Sequence, residues 1–366
     1  MTTGLYVALY YIFFLLVTLV VSKWSWHGRM VQENGSKWSI SLVLLVLLVF
    51  TYRDIDSKYF GDTVAYYRMY RNVCKYGFSE ILDYKDYGYA ILTYMCSYFR
   101  SVQAYFFIVA FLYILPVYYV FRQNYSSNYV VALLLFICSF SFFGYGTNGL
   151  RNGIATSLCI FAFYSPRIVV QVVVLVIAFY MHKSAALPIL AFLLTWRYNN
   201  PKYYFWIWGV VFLLVLFGGN ALVGNISNYD FFETDTRLHD YSTGFDQLER
   251  EVGFSSTGFR WDFVLYSTIP MVLGYIYVFK YKFQDIFYNR LLCTYILCNA
   301  FWLIYIYQPY NNRFAYLSWF LYPIIIAHPL LRQKNLVPNQ KLKERYIILG
   351  NELFTFIMFL INQSKM

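Results

Sequence analysis

Read from the amino terminus, the chain alternates continuous apolar runs with short polar breaks. Twelve runs stand out: 5–21, 39–52, 104–121, 129–145, 148–165, 167–181, 184–196, 203–218, 262–279, 291–307, 314–330 and 347–361. Unbroken apolar stretches of this kind form helices that cross or are buried in a membrane, whereas a membrane β-barrel alternates apolar and polar positions. The pattern predicts an all-α polytopic membrane protein with about 12 transmembrane helices, a single integral membrane domain over residues 1–366. Several runs are short, and Pro188 and Pro270 fall inside two of them, so kinked or broken helices are expected there. A further apolar dozen, 88–99, is too short for an ordinary span and reads as a surface or re-entrant helix.

Composition agrees: 60% of residues are hydrophobic, 13% are charged, and mean hydropathy is +0.48. No basic residue precedes the first run, so no cleavable signal peptide is expected. The six cysteines form no CxxC, which argues against a disulfide framework or a zinc site, and no cofactor is expected. A net charge of +11 would suggest nucleic acid in a soluble chain, but here the basic residues sort by membrane side. With Lys23, Arg29 and Lys37 placed inside, the inner loops carry net +12 and the outer segments net zero, provided that 88–99 does not cross. No nucleic-acid partner is therefore expected. Two outer segments are long, 53–87 and 219–261, and loops of that length on a tight bundle usually carry function. The 40 tyrosines and 36 phenylalanines suit sugar stacking and interfacial belts, although an AT-rich coding sequence accounts for most of them.

The chain is organised around Asn148–Lys183, NGLRNGIATSLCIFAFYSPRIVVQVVVLVIAFYMHKS. Two apolar runs flank the break at Ser165, Pro166 and Arg167, so they read as a helical hairpin. Its free ends share one face of the membrane, and Arg151 and His182 can meet although 31 positions separate them. The alternative is that both merely anchor their helices at the water boundary. The same outer face gathers Arg53, Asp54, Asp62, Lys183, Arg260, Asp262, Asn311, Asn312 and Arg313. Arginine offers a planar fork to phosphate and stays charged, so arginines near a carboxylate or imidazole suit a pyrophosphate and a general base. Arg151, Arg260 and Arg313 are the candidate pyrophosphate ligands, with Arg53 and Lys183 beside them. Candidate catalytic residues are His182, which needs the smallest pKa shift to act near neutral pH, and the carboxylates Asp62 and Asp262. Each arginine has an alternative role as a snorkelling anchor. No Walker sequence, GxSxG, HExxH or GxGxxG occurs, and His27 and His328 read as incidental.

These residues carry a resemblance. RDIDSKYFGDTVAYY looks like the opening of Wzy/EpsG-type polysaccharide polymerases. NGLRNGIATSL resembles that family's Asn-x-x-Arg-x-x-Ile-Ala element, and YMHKSAALP its His-x-Ser element. GFRWDFVLYSTIP and YNNRFAYLSWFLYP resemble later parts of enterobacterial O-antigen polymerases. One departure is Gly153, where the family commonly has a polar residue. The resemblance implies an enzyme of the bacterial inner membrane whose site faces the periplasm, so the outer segments are periplasmic loops. It would transfer a growing chain from undecaprenyl pyrophosphate onto a new lipid-linked repeat unit. Its partners would be undecaprenyl-pyrophosphate-linked oligosaccharide and membrane lipid, with a chain-length regulator and a flippase as candidates. Competing readings are an O-antigen ligase, a transporter of lipid-linked oligosaccharide and a membrane O-acyltransferase. A transporter predicts midplane charges and symmetric halves, whereas here the charges gather at span ends and no internal repeat shows.

Overall fold

The computed structural model describes residues 3–25, 30–56, 60, 62–219, 258–308 and 311–363. The expected outer segment 219–261, with His239, lies almost wholly outside the described residues, as does His27. Among the described residues the secondary structure is helical, with no strand. The helices are α1 (Thr3–Ser25), α2 (Met30–Thr51), α3 (Thr63–Tyr76), α4 (Tyr87–Ser97) and α5 (Val102–Asn124). Then come α6 (Tyr129–Ile137), α7 (Phe140–Thr147), α8 (Leu150–Tyr164), α9 (Ile168–Met181), α10 (Ala186–Leu194) and α11 (Pro201–Gly218). The last are α12 (Trp261–Tyr275), α13 (Ile286–Ile304), α14 (Asn312–Trp319), α15 (Tyr322–Arg332) and α16 (Gln340–Gln363).

The apolar runs become helices because most of their side chains offer the backbone no competing partner. Ser101 starts α5 by accepting the Ala104 N–H at 3.2 Å, and Asp285 starts α13 by accepting that of Tyr288 at 3.0 Å. Asn200 caps α11 just ahead of Pro201, whose missing N–H costs nothing at a first helical position. Pro188 likewise falls in the first turn of α10. Pro270 lies inside α12, which continues as a π-helical turn, Ile276–Lys280.

Length and apolar composition together mark the candidate spans. Val102–Asn124, Pro201–Gly218, Trp261–Lys280 and Asn312–Arg332 are long and apolar enough to cross a membrane. The pair α6–α7 makes a fifth if taken as one span, bent by 65°. The bend falls at Cys138–Ser139, where the Ser139 hydroxyl donates to the Phe136 carbonyl at 2.7 Å and a helix ladder gives way to a local turn. Among the described residues, four helices, or five with the bent pair, are thus long and apolar enough to span. Ile168–Met181 and Lys183–Leu194 are shorter apolar helices. The central hairpin is short too: α8 has 15 residues, about 22 Å at ~1.5 Å per residue.

The chain divides into two compact units, Met1–Ile189 with Ile326–Phe356, and Leu190–Ile325 with Ile357–Met366. In the first, α8 packs between α5 and α9, α2 lies on α5, and α4 touches both α3 and α9. Rings of Tyr10, Phe14, Phe50, Phe142 and Phe143 interlock, and the Tyr10 hydroxyl donates to the Ile137 carbonyl at 2.9 Å. His328 is buried rather than incidental, its Nδ1 3.0 Å from the hydroxyls of both Tyr125 and Tyr164. In the second unit, α13 is packed by α11, α12 and α14. Tyr266 stacks on Tyr322 at 4.4 Å, and the Trp319 indole donates to Ser267 at 2.7 Å. Trp208 donates to Asn299, and Asn299 to Ser318, a polar thread of the kind that joins helices in apolar surroundings. Much of the aromatic content therefore serves packing.

Candidate functional site

The hairpin α8–α9 brings its two ends together as the spacing predicts. Ser165 and Pro166 end α8, because a residue before proline is pushed out of the helical region and proline has no N–H to give. Arg151 is the second residue of α8. At the other end α9 stops at Met181, and His182 turns into extended backbone, φ −158° and ψ 123°. A second tie crosses the hairpin mouth: the Ser184 hydroxyl donates to Asn152 Oδ1 at 2.6 Å.

What joins Arg151 to His182 is a residue that sequence reasoning missed. Asp86 occupies the N-cap position of α4, yet its side chain caps nothing there. One carboxylate oxygen accepts from Arg151 Nη1 at 2.6 Å. The other accepts the backbone N–H of Lys183 at 3.2 Å and lies 3.5 Å from His182 Nδ1. Burial raises the carboxyl pKa, but His182, Arg151 and the Lys183 amide outweigh burial and hold it down at about 2. Asp86 is thus a fixed anion at neutral pH. Its place depends on Gly88: a Cβ there would meet the carbonyl carbon and oxygen of Tyr180 at 2.8 Å. Only a bare backbone lets the start of α4 lie this close to the end of α9. Two signals pointed to it, an acid just ahead of the 88–99 stretch and a glycine one residue into that helix.

Arg151 keeps 20% of its side chain exposed, against 6% for Asp86, so the guanidinium is reachable while the carboxylate is not. The ring of Tyr66, from α3, lies 5.7 Å from that guanidinium. Lys183 contributes its backbone to Asp86 and leaves its ammonium on the exposed surface. A carboxylate facing one imidazole nitrogen favours the tautomer protonated there and puts the lone pair on the other. The cluster therefore combines an accessible cation, a buried anion and an oriented imidazole.

The remaining candidates stand elsewhere. Arg53 is 5% exposed. It donates to the Phe50 carbonyl and, at 3.3 Å, to Thr63, and its guanidinium covers the Phe106 ring at 4.2 Å. Thr63 in turn donates to the Thr147 carbonyl at 2.8 Å. So placed, Arg53 ties the ends of α2, α3 and α7 together, and burial pulls its pKa to about 10, still cationic at neutral pH. Asp62 occupies the N-cap position of α3 without a side-chain capping bond. In the second unit Arg260 grips Asp262 with a fork, Nε to Oδ1 at 2.8 Å and Nη2 to Oδ2 at 2.6 Å, over the Phe263 ring at 3.7 Å. Arg313 is exposed on α14, and both guanidinium groups act electrostatically on Tyr316. Among the described residues no cluster of His, Cys, Asp and Glu could hold a metal ion.

Neither the curated proteins nor the solved structures offer a match to this chain. The model of the EpsG family matches residues 36–364, a stretch that takes in Asp86, Arg151, His182, Arg260 and Arg313. The chain thus belongs to the EpsG family, an EpsG/Wzy-type family of polysaccharide polymerases, and its function is of that type.

Proposed function

We propose that the protein is an O-antigen polymerase, a membrane glycosyltransferase of the bacterial inner membrane that works at the periplasmic face. It joins oligosaccharide repeat units carried on undecaprenyl pyrophosphate, moving the growing chain onto a new lipid-linked unit. The observation that carries this reading is the bridge by which Asp86 holds Arg151 and His182 together.

The chemistry follows from that arrangement. The acceptor hydroxyl attacks the anomeric carbon of the growing chain and loses its proton to His182. A bond forms from the acceptor oxygen to that carbon, and the bond from the carbon to the pyrophosphate oxygen breaks. The electron pair leaves with undecaprenyl pyrophosphate, whose developing charge Arg151 and the Lys183 ammonium stabilise. Asp86, ionised and buried, orients His182 and offsets the charge of the imidazolium that forms. A carboxylate with a pKa near 2 is a weak base, so Asp86 orients the base and does not replace it. Asp62 and Asp262 are the alternative bases. Arg260 and Arg313 are assigned to the second lipid-linked head group, where Arg260 must exchange Asp262 for phosphate. Arg53 is left out of the ligand set because it is buried.

The glycan ladder of a deletion strain tests the reaction. Long chains lost with a single repeat unit retained is the result of a missing polymerase. Loss of all O-antigen would instead identify a ligase or a flippase.

A further inference from the structure

Helix α3 has two unlike faces. Thr63, Tyr66, Met69, Tyr70 and Val73 are buried, while Arg68, Arg71 and Lys75 are exposed. With ~100° between successive residues, the three basic side chains share a stripe roughly 60° wide on the side opposite the buried face. No acid occurs between Thr63 and Tyr76 to neutralise it. Arg71 lies over the Tyr67 ring at 5.8 Å and Lys75 over that of Tyr76 at 4.8 Å, so amphipathic tyrosines flank the charges.

The next elements expose the opposite chemistry. The 3-10 turn Gly77–Asp83 presents Phe78 and Leu82, and α4 presents Ile91 and Met95, with Phe99 just beyond it. Each of these five is between 46% and 66% exposed. On α4, Ile91 and Met95 lie opposite the buried residues Tyr89, Ala90, Thr93 and Cys96. A basic, tyrosine-flanked helix beside an apolar one is the composition of a segment that lies in a membrane surface. Lipid acyl chains cover residues such as Leu82 and Met95; a hydrated glycan does not.

We propose that residues 63–100 form a monotopic hairpin seated in the membrane surface. The exposed face of α4 dips into the acyl region, and Arg68, Arg71 and Lys75 engage the phosphates of anionic phospholipids. Asp86 lies between the two helices, so the seating of the hairpin on the lipid also sets the carboxylate that bridges Arg151 and His182. The proposal rests on the membrane character of the chain and not on the glycosyl-transfer reading.

Cys74, on α3, is exposed, and the other five cysteines are buried. The full-length protein labelled there with a polarity-sensitive dye is placed in nanodiscs of phosphatidylcholine, with and without phosphatidylglycerol. Emission shifts to the blue when phosphatidylglycerol is present, and high salt reverses the shift. Each basic residue near an anionic surface contributes roughly fivefold, so R68Q/R71Q/K75Q weakens the response by on the order of a hundredfold. R68K/R71K keeps it, because surface charge and not guanidinium geometry is being read. The same emission in both lipids, or a triple variant that responds as the wild type does, overturns the proposal. So does a shift caused by an added acidic polysaccharide and not by phosphatidylglycerol, which would make the stripe a glycan track.

Discussion

At the scale of single residues, the site depends on one carboxylate. Arg151 and His182 were legible in the sequence because a hairpin returns its ends to the same face. Asp86 was not, because its approach to them runs through packing of α4 on α9, which no spacing reveals. Arg53 reads in the sequence as an arginine at a span end; the structure shows it buried and bonded to Phe50 and Thr63. Asp86→Asn should cost stability with a defined pH dependence. The folded pKa of about 2 lies below the ordinary carboxyl value of 3.8, so this stabilisation is fully present above pH 3.8 and is lost as pH falls through about 2. A difference of nearly two units corresponds to about 2 kcal/mol. Thermal melts should therefore show the variant weaker than wild type at pH 7, with the gap closing as the pH drops from 4 towards 2. Equal melting at pH 7 would mean that the bridge contributes nothing. Arg151→Lys keeps the charge and loses the fork, and chain extension should fall at least ~10-fold. An anchor that only snorkels would tolerate it, so wild-type chain lengths in that variant remove Arg151 from the ligand set.

Among the elements, the close approach of α4 to α9 is the feature on which the site turns. The short apolar stretch 88–99 was visible in the sequence and forms the helix Tyr87–Ser97. The break at Ser165–Pro166 was visible too, but the bend at Cys138–Ser139 was not, since hydropathy runs unbroken through it. Gly88→Ala puts a Cβ 2.8 Å from the Tyr180 carbonyl, so α4 must move and take Asp86 with it. Chain extension should then drop, although no charged or polar group has been removed. Unchanged activity in a stably expressed Gly88→Ala protein would show that the site tolerates the shift. Ser184→Ala removes one neutral hydrogen bond at the hairpin mouth, a loss of about 1 kcal/mol in stability.

For the whole molecule, membrane sidedness connects charge to function. On the proposed topology the inner loops carry net +12 and the outer segments net zero, an arrangement that predicts Gln340 in the cytoplasm and the segment with Asp86 outside. An impermeant thiol reagent applied to intact spheroplasts should label native Cys74 and should not label a cysteine placed at 340. Labelling at 340 would invert the arrangement and move the proposed site to the cytoplasmic side. Helical class and membrane character were legible from the apolar runs, as was the family from five short stretches; the division into two compact units was not, because apolar runs look alike on either side of the boundary. The most direct measurement is chain extension by purified full-length His182→Gln, supplied with the lipid-linked repeat unit in reconstituted membranes. Loss of a general base should slow extension by roughly 10²–10⁴-fold while abundance, folding and binding of the lipid-linked unit stay at wild-type levels. Full-length chains at the wild-type rate would contradict the assignment and leave Asp62 or Asp262 as the base.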